Sequence, residues 1–208
     1  HQMRPYGRTL RCAAIALLGV AVQGASTLPA QAPTITPLVT TDWLQAELAR
    51  PDLVILQISS AADFAKTHIP GAVSVDFAGE LVAPVVEGGL RTELPEPAAL
   101  ERVLRAKGVT ETSRVVLVFD QPNVFTRAGR AFFTLEWAGL AGRVAVLDGG
   151  LPKWVREGRP SSSGAGRQVV SSAITLRPEF ARRATRDDVR ALVGATGSRI
   201  VDARDTVF

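Results

Sequence analysis

Three short runs of almost unbroken apolar residues constrain this chain most: Leu53 to Ile58, Val115 to Phe119 and Val144 to Leu147. None alternates apolar with polar residues, so none suits a sheet with one wet face. Each has the pattern of a strand covered on both faces, as in a parallel sheet. Segments of helical spacing lie between them. Thr41-Asp42 opens a stretch carrying Trp43, Leu44 and Leu48, and Ala61 to Thr67 is short and helix-compatible. Ala98 to Lys107 carries Leu100, Val103 and Leu104 and is closed by Gly108. A further helix is expected from about Arg127 to Ala138, and a short helical turn over Lys153 to Glu157. Pro33 to Pro37 reads as an extended lead-in, Val73 to Asp76 as a shorter strand, and Leu81 to Pro97 as irregular. Strand and helix alternate throughout, which predicts an α/β fold with a mainly parallel central sheet flanked by helices.

The first residues have a different pattern. Arg4, Arg8 and Arg11 precede an apolar run from Cys12 to Val22, and Ala30-Gln31-Ala32 supplies small residues at the spacing of a signal-peptidase site. The run is about eleven residues long, against roughly 20 for a membrane-spanning helix. Residues 1–32 therefore read as a secretory signal. The expectation is an exported protein without stable membrane insertion after cleavage, periplasmic in a Gram-negative host and extracellular otherwise.

Loss of that segment removes three arginines and no acid, so the net charge falls from +4 to +1. The basic balance thus gives no ground for nucleic-acid binding. The single cysteine leaves with the signal. What remains has no thiol, no disulfide and no Cys-based metal site, and the whole chain's two histidines, His1 and His68, are too few for a His-rich one.

Pro160 to Gly166 is rich in Ser and Gly and reads as a linker. After it the pattern starts again. Thr185 to Ala191 resembles Thr40 to Ala46, and Arg199 to Arg204 falls where Val54 to Ser59 lies, both at an offset of 145 residues. A helix and a strand repeated at one offset suggest a tandem duplication. The expected division is a signal over 1–32, a first domain over 36–159, a linker over 160–180, and the truncated start of a second copy over 181–208.

Several segments carry a family resemblance. His68-Ile69-Pro70-Gly71-Ala72 resembles the H-I-P-G-A signature of rhodanese domains. Val115 to Asp120 resembles the strand that delivers the rhodanese active loop, and Leu147 to Trp154 the closing G-G-x-x-x-W signature. Leu38 to Leu44 and Gly89 to Pro95 look like the thiosulfate and 3-mercaptopyruvate sulfurtransferase branch, and Val201-Asp202-Ala203-Arg204 resembles the V-D-A-R opening of a second domain. The resemblance spans residues 38 to about 158 and implies a tandem sulfurtransferase. Such an enzyme moves sulfane sulfur from thiosulfate or 3-mercaptopyruvate to a thiol or cyanide acceptor, through a cysteine persulfide and without a cofactor.

The resemblance also implies where the nucleophile should stand: directly after the buried strand, opening a loop whose N–H groups converge on sulfur above a helix N-terminus. Asp120 holds that place. A carboxylate cannot form a persulfide and repels an anionic donor, so Asp120 reads as a loop or helix-capping residue and the first domain as non-catalytic. In two-domain members the first domain resembles an inactive copy. The working cysteine is then expected in the part of domain two beyond this chain, within the next roughly 100 residues. The chain by itself is expected to be inactive.

Gln57-Ile58-Ser59 departs from the Asp-x-Arg that many rhodanese domains keep. His68 reads as a structural hydrogen-bonding residue, Gly149-Gly150 as a close backbone approach, and Trp154 as a seal at the sheet edge. Asp202 and Arg204 match the early motif of the second domain as an ion pair or hydrogen-bonding unit. Arg127 and Arg130, near the start of the helix after Asp120, are either solvated helix residues or contacts to an anion or another domain. Two other functions fit less well: a non-catalytic rhodanese module acting as scaffold, regulator or anion binder, and a rhodanese-fold phosphatase, which also needs a loop cysteine.

Overall fold

The computed structural model describes residues 34–202. The expected signal segment with Cys12, and Ala203 and Arg204, lie outside them. Five strands form one parallel sheet: β1 (Leu38–Val39), β2 (Leu53–Ile58), β3 (Val73–Val75), β4 (Arg114–Phe119) and β5 (Val144–Leu147), in the order β1-β5-β4-β2-β3. The three apolar runs are β2, β4 and β5, and β2 and β4 are buried along all their length. The two-residue period of a strand sorts their side chains onto two faces. Val54, Leu56, Ile58, Val115, Leu117 and Phe119 enter one core, against α4 (Pro97–Ala106) and α5 (Phe125–Leu135). Leu53, Ile55, Val116, Val118 and Leu147 enter the other, against α1 (Thr41–Glu47), α2 (Ala61–Lys66) and α6 (Gly150–Arg156).

Element boundaries differ from the sequence reading for local reasons. Val73 to Asp76 shortens to β3 because Asp76 turns to cap α3 (Phe77–Glu80), accepting the Ala78 N–H at 3.1 Å. The helix expected from Arg127 begins at Phe125, because a 3₁₀ turn at Pro122–Val124 feeds it directly. It then runs on as a π turn over Glu136–Leu140. α6 begins at Gly150 rather than Lys153, with Pro152 tolerated in its first turn. Beyond the lead-in, Leu38–Val39 pairs with β5 as an edge strand too short to be read from periodicity. Trp154 is not at the sheet edge. It is wholly buried on the second face, its indole N–H donating to the Pro160 carbonyl at 2.8 Å. The close approach at the glycine pair is real: a Cβ on Gly150 would lie 2.6 Å from the Phe119 carbonyl oxygen.

The Ser/Gly stretch and the residues after it form a strap on the domain. Ser162 and His68 exchange both backbone hydrogen bonds at 2.9 Å, and the Gly164 N–H donates to Ala65 at 2.8 Å. On the opposite face the Ser172 N–H donates to the Arg105 carbonyl and the Arg105 guanidinium grips the Ile174 carbonyl. Ile174 and Leu176 are buried in the first core. The Arg177 and Glu179 N–H groups then bond the Ala138 and Trp137 carbonyls. α7 (Arg186–Leu192) follows, with no buried residue, and residues 200–202 form no strand.

Candidate functional site

In an open parallel sheet, ligands bind beyond the carboxyl ends of the strands, where the winding reverses direction. Here β3 lies on one side of β2, while β4 and β5 follow on the other. The reversal falls between β2, ending before Ser59, and β4, ending before Asp120. The loop after β4 is thus in the place where this architecture builds sites.

Its chemistry is that of a carboxylate. Burial pushes the Asp120 carboxyl above the usual aspartate range. Neighbouring backbone N–H groups and Arg127 offset this in part, and the Asp63 carboxylate adds to it. Asp63 itself is held by Lys66 at 2.7 Å and by the Ser60 hydroxyl. Asp120 caps no helix, since neither the 3₁₀ turn nor α5 starts with a side-chain cap. The loop therefore presents a partly buried carboxylate at the end of β4. Beside it, a cavity of about 420 Å³ opens between the ends of β1, β5 and β4 and helix α5. Leu38, Phe119, Phe125, Phe132 and Val146 line it. Its one charged residue, Asp148, is paired with Lys153 at 2.5 Å.

The two polar residues of the H-I-P-G-A turn region are structural. His68 is buried, its Nδ1 2.9 Å from the Phe64 carbonyl and its ring stacked on Phe64 at 4.1 Å. Gln57, fully buried, clamps the same turn: its Nε2 donates to the Thr67 carbonyl and its Oε1 accepts the Ile69 N–H, both at 3.2 Å. Both ends of the side chain are satisfied by backbone, so the departure from Asp is a complete structural solution.

The sequence profile of the rhodanese-like domain matches residues 40–157, which contain strands β2 to β5, the turn clamped by Gln57 and the loop at Asp120. The chain belongs to the rhodanese-like family. A Pseudomonas aeruginosa protein named "Probable 3-mercaptopyruvate sulfurtransferase" is 34% identical over 176 residues, covering 80% of this chain and 61% of its own length. A Mycobacterium bovis protein named as a thiosulfate sulfurtransferase is 28% identical over 168 residues, covering 80% of this chain and 57% of its own. The rhodanese fold is shared with SseA from Escherichia coli, a 3-mercaptopyruvate enzyme, at a TM-score of 0.70 and 24% identity over 82% of this chain and 66% of that one. This rhodanese-like chain thus spans about 60% of the length of the curated relatives it matches.

Of the arginines read from the sequence, Arg127 is exposed and acts on Asp120 only through its charge. Arg130 is not a solvated helix residue. It is half-buried, with its guanidinium 5.4 Å over the Phe133 ring and Nη2 donating to the Thr92 carbonyl at 2.6 Å. The Thr92 contact was not legible, because it joins α5 to the irregular segment before α4.

Proposed function

We propose that these residues are the first domain and the opening of the second in a tandem sulfurtransferase. The observation that carries the reading is a repeated helix. α1 and α7 are each seven residues long, each starts one residue after a threonine whose hydroxyl caps it, and Thr40 and Thr185 are 145 residues apart. The greater length of the relatives supports it too. In this account domain one, with Asp120 in its loop, carries no sulfur. A cysteine in the remainder of domain two forms the persulfide, taking sulfane sulfur from thiosulfate or 3-mercaptopyruvate and passing it to a thiol or cyanide. The thiolate attacks the donor's terminal sulfur, breaking the S–S bond of thiosulfate with sulfite as leaving group or the C–S bond of 3-mercaptopyruvate with the pyruvate enolate leaving and taking a proton. The acceptor thiolate or cyanide then attacks the outer sulfur of the persulfide, and the cysteine thiolate leaves and is restored. The proposal includes export, on the pattern of Arg4, Arg8 and Arg11 before the apolar run and the small residues at Ala30 and Ala32.

The continuation of the reading frame tests this. A strand followed at once by a cysteine-initiated loop is expected within roughly 100 residues, the size of one further domain. Another residue at that position would instead favour a non-catalytic module, a reading that rests on Asp120 and its carboxylate neighbour Asp63.

A further inference from the structure

A second basin lies away from the strand ends, between the irregular segment before α4 and helix α5, with a volume of about 520 Å³ and walls that are mainly polar. Arg91, Arg130 and Arg183 line it together with the Phe133 ring. Their lack of a salt bridge is shared with Arg102, Arg127 and Arg143, among others, while several arginines are paired. Arg105, Arg114, Arg159 and Arg182 each meet a carboxylate in a salt bridge. Among the described residues, no salt bridge forms to Arg91, Arg130 or Arg183.

Arg130 is held in place without a salt bridge, and Glu93 acts on its charge only from a distance. One Nη2 hydrogen bond goes to the neutral Thr92 carbonyl, and its Nε is buried with no partner. A desolvated guanidinium is costly until an anion meets it, and its fork suits two oxygens of a carboxylate or sulfur oxyanion. The wall that positions it is strained: Thr92 has a φ of 58°, the sole positive value at a non-glycine among the described residues. For a β-branched residue that is an outlier, and such strain persists where the surroundings impose it.

We propose that this basin is a binding site for a small oxyanion, with Arg130 as its fixed floor and Arg91 and Arg183 closing on the bound charge. Glu93 and Glu96 on the same wall repel extended polyanions, so the ligand is a molecule with one or two charges. The site is separate from the loop at Asp120 and does not depend on the sulfurtransferase reading. Its occupant is either a carboxylate or a sulfur oxyanion, and Arg183, just before α7, ties binding to the chain entering the repeat.

The test is an amide and arginine side-chain NMR titration of the 208-residue chain with sodium pyruvate, sodium sulfate and sodium thiosulfate at constant ionic strength, with sodium chloride as control. Saturable shifts at Thr92, Glu93 and Phe133 are expected. Their dissociation constant should rise about tenfold in Arg91→Gln or Arg183→Gln, the loss of one charge-assisted contact. Both residues are exposed, so the variants keep the fold. Response to pyruvate alone assigns a carboxylate, response to the sulfur anions alone assigns those, and response to all three assigns a general oxyanion site. No saturable response, a response that chloride matches, or constants unchanged in both variants would overturn the proposal.

Discussion

Removing the strap's two buried side chains should cost this domain a large part of its stability. Ile174 is 2% exposed and Leu176 9%, and both sit in the core formed by α4, α5 and one sheet face. Truncating a buried aliphatic residue to alanine costs about 2–5 kcal/mol, the transfer term plus the cavity left behind. Ile174 belongs near the middle of that range, since its carbonyl is also fixed by Arg105 through Nε and Nη2 at 3.1 and 2.9 Å. Leu176 belongs at the lower end. The two are neighbours in one core and couple, so the double variant Ile174→Ala/Leu176→Ala is expected to lose about 4–6 kcal/mol. A domain of this size holds about 5–15 kcal/mol in all. Urea unfolding followed by the fluorescence of Trp43, Trp137 and Trp154 reads the loss directly. A double variant within about 1 kcal/mol of the parent would mean that the strap merely lies on the surface.

Two further substitutions probe the polar framework. Gln57→Leu should destabilise the chain by about 2–4 kcal/mol in the same assay, because it strands the Thr67 carbonyl and the Ile69 N–H in a buried turn. A neutral result would show that the turn finds other partners. Arg114→Ala removes the cation that meets Asp52 at 2.8 Å and Glu47 at 2.7 Å, and should cost about 2–3 kcal/mol at neutral pH. Arg114 holds the Asp52 carboxyl below its ordinary value, so the stabilisation is present above the unfolded-state pKa and is lost as pH falls through the lower folded one. The gap between parent and variant should therefore narrow on acidification, and a gap independent of pH would remove the ion pair as its cause.

What could be read in advance was set by how local each cause is. The strands β2, β4 and β5 are legible because burial on both faces leaves no room for a polar side chain except one satisfied in place, as Gln57 is. The place of Asp120 at the end of β4 is legible too, since the strand end and the loop it opens are adjacent in sequence. The strap was hidden, because its composition is that of a linker and its partners, His68, Arg105 and Ala138, come from three distant segments. Gly139 (φ 99°) marks the spot where it docks, its missing Cβ leaving room for the Arg177 backbone. The arginine basin was hidden likewise: Arg130 stood out near the start of a helix, but Arg91 and Arg183 join it only through tertiary structure.

The proposal that sulfur is carried by a cysteine outside these residues, and not by the loop at Asp120, is tested most directly by cyanide–thiosulfate turnover, with 3-mercaptopyruvate as second donor. The 208-residue chain and the same chain extended through the following domain are assayed side by side. The account predicts no thiocyanate from the first with either donor, and turnover by the second that disappears when its loop cysteine is changed to serine. Turnover by the 208-residue chain alone, or its persistence in the serine variant, would contradict it.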